Sequence, residues 1–101
     1  ITMPIVEIVV NQREFSAAGE AQRRKLREYA HRLRRELYFG VRIPRYLVPK
    51  RFRHLPNLFR LELPGGWRAL YAVIGKPALR VRILIVWIGD HTRYNRLFGY
   101  S

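Results

Sequence analysis

The sequence predicts an α+β fold in which an N-terminal strand and an amphipathic helix pack on an antiparallel β-sheet meander with a short C-terminal helix. Three observations predict it: a short apolar run near the start, helical periodicity after it, and strand-like runs joined by turn sequences in the second half. With 101 residues, 49% of them hydrophobic, one core can form without metals or staples, and residues 1–101 are read as a single domain. The chain opens at Ile1, and Met3 is expected to be its natural start.

"PIVEIVV", Pro4 to Val10, reads as the first strand, with Glu7 its only charge. Ser16 then precedes "AAGEAQRRKLREYAHRLRREL", where Leu26, Tyr29, Ala30, Leu33 and Leu37 recur at helical spacing. The spacing predicts one helix running to about Tyr38, stopped by Gly40. Its arginine face, with Arg23, Arg24, Arg27, Arg34 and Arg35, reads as a solvated surface rather than a specific site. "VRIPRYLVPKRFRHLPN", Val41 to Asn57, holds Pro44, Pro49 and Pro56 and so cannot be one regular element. It is expected to be an ordered connector with one short helical turn, laying Arg42, Arg45, Lys50, Arg51 and Arg53 beside Tyr46, Phe52 and His54. Basic residues interleaved with aromatics suit phosphate contact plus base stacking.

"LFRLEL", "WRALYAVI" and "LRVRILIVWI" are strand-like runs joined by the turn sequences "PGG" and "GKPA", which predicts the meander. If Pro64 to Gly66 form the loop, Leu63 faces Trp67 and Glu62 faces Arg68. Phe59, Leu61, Leu63, Trp67, Ala69 and Tyr71 then share one face, and Arg60, Glu62 and Arg68 the other. Glu62 and Arg68 are either a plain cross-strand ion pair or a carboxylate orienting a guanidinium toward phosphate. "RILIVWI" is apolar on both parities, as a central strand covered on both faces would be; the helix covers one face, and the connector or the C-terminal segment the other.

Charge is the largest compositional fact. Twenty basic residues stand against seven acidic ones, a net charge of +13, and all but Lys25, Lys50 and Lys76 of the basic residues are arginine. Arginine's planar fork matches phosphate oxygens and stacks on bases, so nucleic acid is the first partner to expect, although thermophilic adaptation or GC-rich coding gives the same composition. The absence of cysteine removes disulfides, thiolate zinc sites and cysteine nucleophiles, and points to a reducing cytoplasm. No apolar stretch approaches a membrane span. The scattered acids argue against a two-metal nuclease, and no metal or small-molecule cofactor is expected.

"WIGDHTRYNRLFGY" ends the last strand and releases an acid, an imidazole, a guanidinium and a phenol together. Gly89 is expected to let the backbone leave the strand at an angle, and Asp90 to cap a short helix over "TRYNRLF" while holding a neighbouring imidazole or arginine. On an RNA substrate His91 and Tyr94 are candidate proton carriers, and Arg68, Arg93, Arg60 and Lys50 are candidate charge stabilisers. The plainer reading makes His91 a capping or packing histidine and Tyr94 with Phe98 a hydrophobic pair docking the last helix.

The order of elements, "KRFRHLPNLFRLELPGGWRALYAV" with its Trp67-Arg68 pair, and the G-x-H-x-x-Y pattern in "IGDHTRYNRLFGY" resemble the RelE/ParE superfamily of type II toxins, in particular its HigB-like branch. The resemblance covers the chain from about Ile5 onward. It implies a RelE/ParE-like fold and a toxin that acts as a metal-independent, ribosome-dependent mRNA endonuclease in the cytoplasm, held inactive by a cognate antitoxin. It also implies that Arg60 falls at a phosphate-binding site and that Arg68 stabilises the transition state; Lys50, Arg51 and Arg53 of the connector, with Arg93, are expected from their own charge to bind RNA phosphates beside them. By the same resemblance His91 and Tyr94 would move protons, while Glu62 and Asp90 are expected from their own positions to orient their neighbours. Where RelE-type enzymes carry a lysine proposed as general acid, this sequence has Glu62, so His91 or Lys50 would supply the acid. Two alternatives stand beside this: a ParE-like gyrase inhibitor, against which the polar cluster after the last strand counts, and a noncatalytic RNA- or ribosome-binding module, for which the charge suffices.

Overall fold

The structure, a computed structural model, describes residues 5–76 and 79–100. The aliphatic run Ile5–Val10 forms strand β1. Asn11 then starts a first helix, α1 (Gln12–Ala17), its Oδ1 accepting from the Glu14 N–H at 3.1 Å. Ala18 and Gly19 are extended, and a second helix, α2, spans Glu20–Leu33. The predicted single helix is therefore two, and Ser16 lies inside the first rather than ahead of one. The break lets Phe15 and buried Ala18 reach the core alongside Leu26 and Leu33, which a straight rod could not do.

α2 stops at Leu33, short of the expected Tyr38. Leu37 and Phe39 must turn onto the sheet, and the buried Tyr71 hydroxyl pins that turn by accepting from the Gly40 N–H (2.9 Å) and donating to the Leu37 carbonyl (3.1 Å). The connector holds a two-residue strand, β2 (Val41–Arg42), and two 3-10 turns, Arg45–Leu47 and Lys50–Phe52, each started by a proline. Strands β3 (Phe59–Leu63), β4 (Trp67–Lys76) and β5 (Arg80–Asp90) follow, then helix α3 (His91–Phe98).

The sheet runs β1-β5-β4-β3-β2. β3, β4 and β5 form the expected antiparallel meander, while β1 pairs with β5 in parallel, so the five-stranded sheet is mixed. Glu62 faces Arg68 and Leu63 faces Trp67 across the Pro64–Gly66 turn, where Gly65 and Gly66 both take positive φ. Pro4 and Met3, the expected start, like Pro77 and Ala78 of the "GKPA" turn, lie outside the described residues.

One sheet face packs Phe59, Leu61, Leu63, Ala69, Tyr71, Val73, Val81, Ile83 and Ile85 under the two helices, with Trp67 partly buried at its margin. The other packs Leu70, Ala72 and Trp87 under Ile43, Val48, Phe52 and Leu55 of the connector and Tyr94 of α3, so both candidate covers are used. A bulge sets the positions near the end of β5: Leu70 pairs with Trp87 but Tyr71 with Ile85, leaving Val86 extra. Val86 and Trp87 therefore both turn to the connector face, which explains the apolar run on both parities. Gly89 is not a point of exit, because β5 continues through Asp90. A Cβ there would lie 2.7 Å from Trp87 Cη2, so the glycine makes room for the indole. Among the described residues no helix is long and apolar enough to cross a membrane.

Candidate functional site

Alternation on β3 and the 62-to-68 register place Arg60, Glu62 and Arg68 on the connector face, where α3 folds back after Asp90. Glu62 bridges the two arginines, with Oε1 2.9 Å from Arg60 Nε and Oε2 3.3 Å from Arg68 Nε. Tyr94 supplies the floor. The Arg68 guanidinium lies 4.5 Å from the Tyr94 ring centroid, and Arg60 Nη1 donates to the phenol oxygen at 3.5 Å. The contact with Tyr94, together with Glu62, raises the Arg60 pKa, keeping it a fixed cation. Arg60 Nε is buried without a well-directed hydrogen bond despite its closeness to Glu62, so that attraction is coulombic rather than directional.

Tyr94 is only 2% exposed. Its ring stacks on Phe98 at 4.4 Å and meets the edge of Trp87 at 6.0 Å, so the hydrophobic pair read from the sequence exists, and the hydroxyl still reaches the charged cluster. His91, the first residue of α3, is exposed and sits by the hairpin turn: its Nδ1 would be 3.7 Å from a Cβ on Gly66. Among the described residues no hydrogen bond or ion pair joins His91 to Arg68 or Tyr94. Asp90 caps α3, its Oδ1 accepting from the Arg93 N–H at 2.9 Å.

The other candidate cations separate into different settings. Lys50 is exposed, with no side-chain hydrogen bond or ion pair among the described residues. Arg53 donates from Nε to the Val48 carbonyl at 3.3 Å, and Arg45 clasps the carbonyls of Arg53 and Leu55, so these two arginines brace the connector. Phe52 is core and cannot stack on a base, whereas Tyr46 is 81% exposed. On α2, Arg23 and Arg27 pair with Glu20, and Arg32 pairs with Glu36 and covers Phe39 at 3.7 Å.

Arg51 and Arg93 come together with Arg96, Trp87 and Leu97 around a cleft of about 180 Å³. Sequence reasoning missed the last three; the available signal was Arg93 and Arg96 at i and i+3 on a short helix. Among the described residues no three His, Cys, Asp or Glu side chains cluster as metal ligands. The charged cluster thus offers two guanidiniums over one phenol, with an imidazole on the same helix at the adjacent turn, a setting able to hold a phosphodiester and stabilise added negative charge. Comparison with protein-family models, with curated proteins and with solved structures finds no match.

Proposed function

We propose that the chain is a toxin of the RelE/HigB type, a cytoplasmic, ribosome-dependent mRNA endonuclease whose charge stabilisation comes from guanidinium groups rather than a metal. The observation that carries this reading is the convergence of Arg60 and Arg68 on the Tyr94 phenol, tied by Glu62. In the proposed reaction the RNA 2′-oxygen attacks the adjacent phosphorus as the P–O5′ bond breaks, leaving a 2′,3′-cyclic phosphate and a 5′-hydroxyl. Tyr94 or His91 takes the 2′ proton, Arg60 and Arg68 stabilise the phosphorane oxygens, and His91 or Lys50 protonates the leaving oxygen. Glu62 must release at least one guanidinium as the phosphate arrives, since a carboxylate and a phosphate compete for the same fork. An acidic amphipathic antitoxin segment is the expected inhibitor, by charge complementarity with the +13 chain.

Primer extension on mRNA after induction, comparing wild type with R68A and H91A, tests the proposal. New 5′ ends within codons in wild type that vanish in both variants support it. Arrest of growth by both variants at full strength removes it. One observation favours a noncatalytic RNA- or ribosome-binding module instead: the Tyr94 ring is buried and Glu62 already occupies both arginines. Ribosome co-sedimentation without cleavage would select that alternative.

A further inference from the structure

Arg93, Arg96 and Leu97 share one flank of α3, at i, i+3 and i+4, while Tyr94 and Phe98 share another. The cleft on the first flank is therefore separate from the Arg60–Arg68 cluster, though Trp87 touches both. Arg51 faces it from the second 3-10 turn. We propose that this cleft is a phosphate-binding site, independent of whether the chain cleaves RNA.

The first reason is unbalanced charge. Like charges at i and i+3 repel, and among the described residues neither Arg51 nor Arg96 has a carboxylate partner. Among the described residues the one carboxylate paired with a guanidinium of the group is Glu14, 3.8 Å from Arg93 Nη2. A bound anion would cancel a repulsion that folding leaves in place. The second is partial preorganisation: the Arg51 guanidinium lies over the Phe52 ring at 4.9 Å and that of Arg93 over Trp87 at 5.7 Å, so two of the three forks already face a ring at the cleft before an anion arrives.

The ligand class follows from shape. Planar forks arriving from two elements suit the several oxygens of a tetrahedral phosphate, whereas a carboxylate satisfies one fork. A cleft of about 180 Å³ takes a charged group rather than a whole nucleotide, and Trp87, 3% exposed, offers no ring face for a base. Inorganic phosphate, a terminal phosphomonoester and an internal phosphodiester share this chemistry.

The test follows arginine Nε–H signals of the full chain by NMR during titration with sodium phosphate against chloride at constant ionic strength. Saturable shifts at Arg51, Arg93 and Arg96, moving together with one apparent affinity, are expected. Arg96→Gln should weaken binding about tenfold, as loss of one charge-assisted fork implies, and Glu14→Gln should tighten it. Arg35→Gln, on the exposed turn after α2, should change nothing. Matched short oligoribonucleotides with and without a 5′-phosphate identify the source: a preference for the phosphorylated one assigns a terminal phosphate. Equal affinity, with a salt slope lowered by about 0.7 in Arg96→Gln, assigns an internal one. Shifts spread evenly over exposed arginines, or Arg96→Gln behaving as Arg35→Gln, would overturn the site. R68A that loses cleavage yet keeps these shifts separates this site from the nuclease proposal.

Discussion

Replacing Tyr94 by phenylalanine separates chemistry from packing at the candidate site. Among the described residues the hydroxyl makes one polar contact, at 3.5 Å from Arg60 Nη1, near the outer limit of a hydrogen bond. Its removal should cost under about 1 kcal/mol of stability, a fall in Tm of at most about 4–8 °C for a domain of this size. The phenyl ring keeps the stack on Phe98, the edge contact with Trp87 and the seat for Arg68. Tyr94→Ala empties all three contacts at a buried site and should cost about 3–5 kcal/mol, a large share of a typical total of about 5–15 kcal/mol. Loss of toxicity in the alanine variant therefore says little about proton transfer. In the phenylalanine variant a positioned base would be missed by a factor of about 10²–10⁴ in cleavage rate, far beyond what the stability change can produce. Single-turnover cleavage of ribosome-bound mRNA, paired with thermal melts, reads both quantities. A Tyr94→Phe rate within about threefold of wild type, beside a large loss in Arg68→Ala, would refute the phenol as a proton carrier.

Glu62→Gln frees two guanidiniums and removes one negative charge from the site, so RNA affinity at low salt should rise roughly fivefold, about 1 kcal/mol, while Tm moves little because the ion pairs are partly exposed; filter binding that shows weaker affinity would contradict the competition argument. Asp90→Ala deletes the cap of α3 and should lower stability by about 0.5–2 kcal/mol, with Asp90→Asn restoring most of it in denaturant titrations. Tyr71→Phe leaves the Gly40 N–H and Leu37 carbonyl unpaired and should cost about 1–3 kcal/mol at neutral pH. Burial pushes the Tyr71 pKa up to about 12, against about 10 in the unfolded chain. The unfolded state thus loses its proton first, and the contribution, complete below about pH 10, is lost as pH rises toward 12, about 2–3 kcal/mol in all. Subtracting the alkaline stability profile of Tyr71→Phe from that of wild type should reveal this fall, and a flat difference would mean that the hydroxyl is not held as described.

The hairpin was legible residue by residue. Strict alternation in "LFRLEL" and a glycine-rich loop leave one register that buries Leu61 and Leu63, and that register necessarily puts Glu62 across from Arg68. Asp90 as a cap was legible for the same local reason, since a short acidic side chain ahead of a helical run has a backbone N–H within reach. The end of α2 at Leu33 was not, because Leu26 to Leu37 keep helical spacing across positions where the sheet, not the spacing, dictates how far the helix runs. Phe52 read as a stacking aromatic for a similar reason: exposure is a property of the neighbours, and the connector turns it into the core.

By itself the sequence determined the α+β composition of elements, the meander and its register, the concentration of arginine, and the placement of an acid, an imidazole and a phenol just after the last strand. These depend on short-range periodicity and on counts, which survive without three-dimensional context. Only the tertiary structure decided that β1 joins β5 in parallel, that a bulge turns Trp87 toward α3, and that Tyr94 lies under Arg68 and beside Arg60 while His91 stays at the hairpin turn. Those outcomes depend on contacts between residues far apart in the chain, whose geometry is set by how the two sheet faces fill, and no local pattern carries that information.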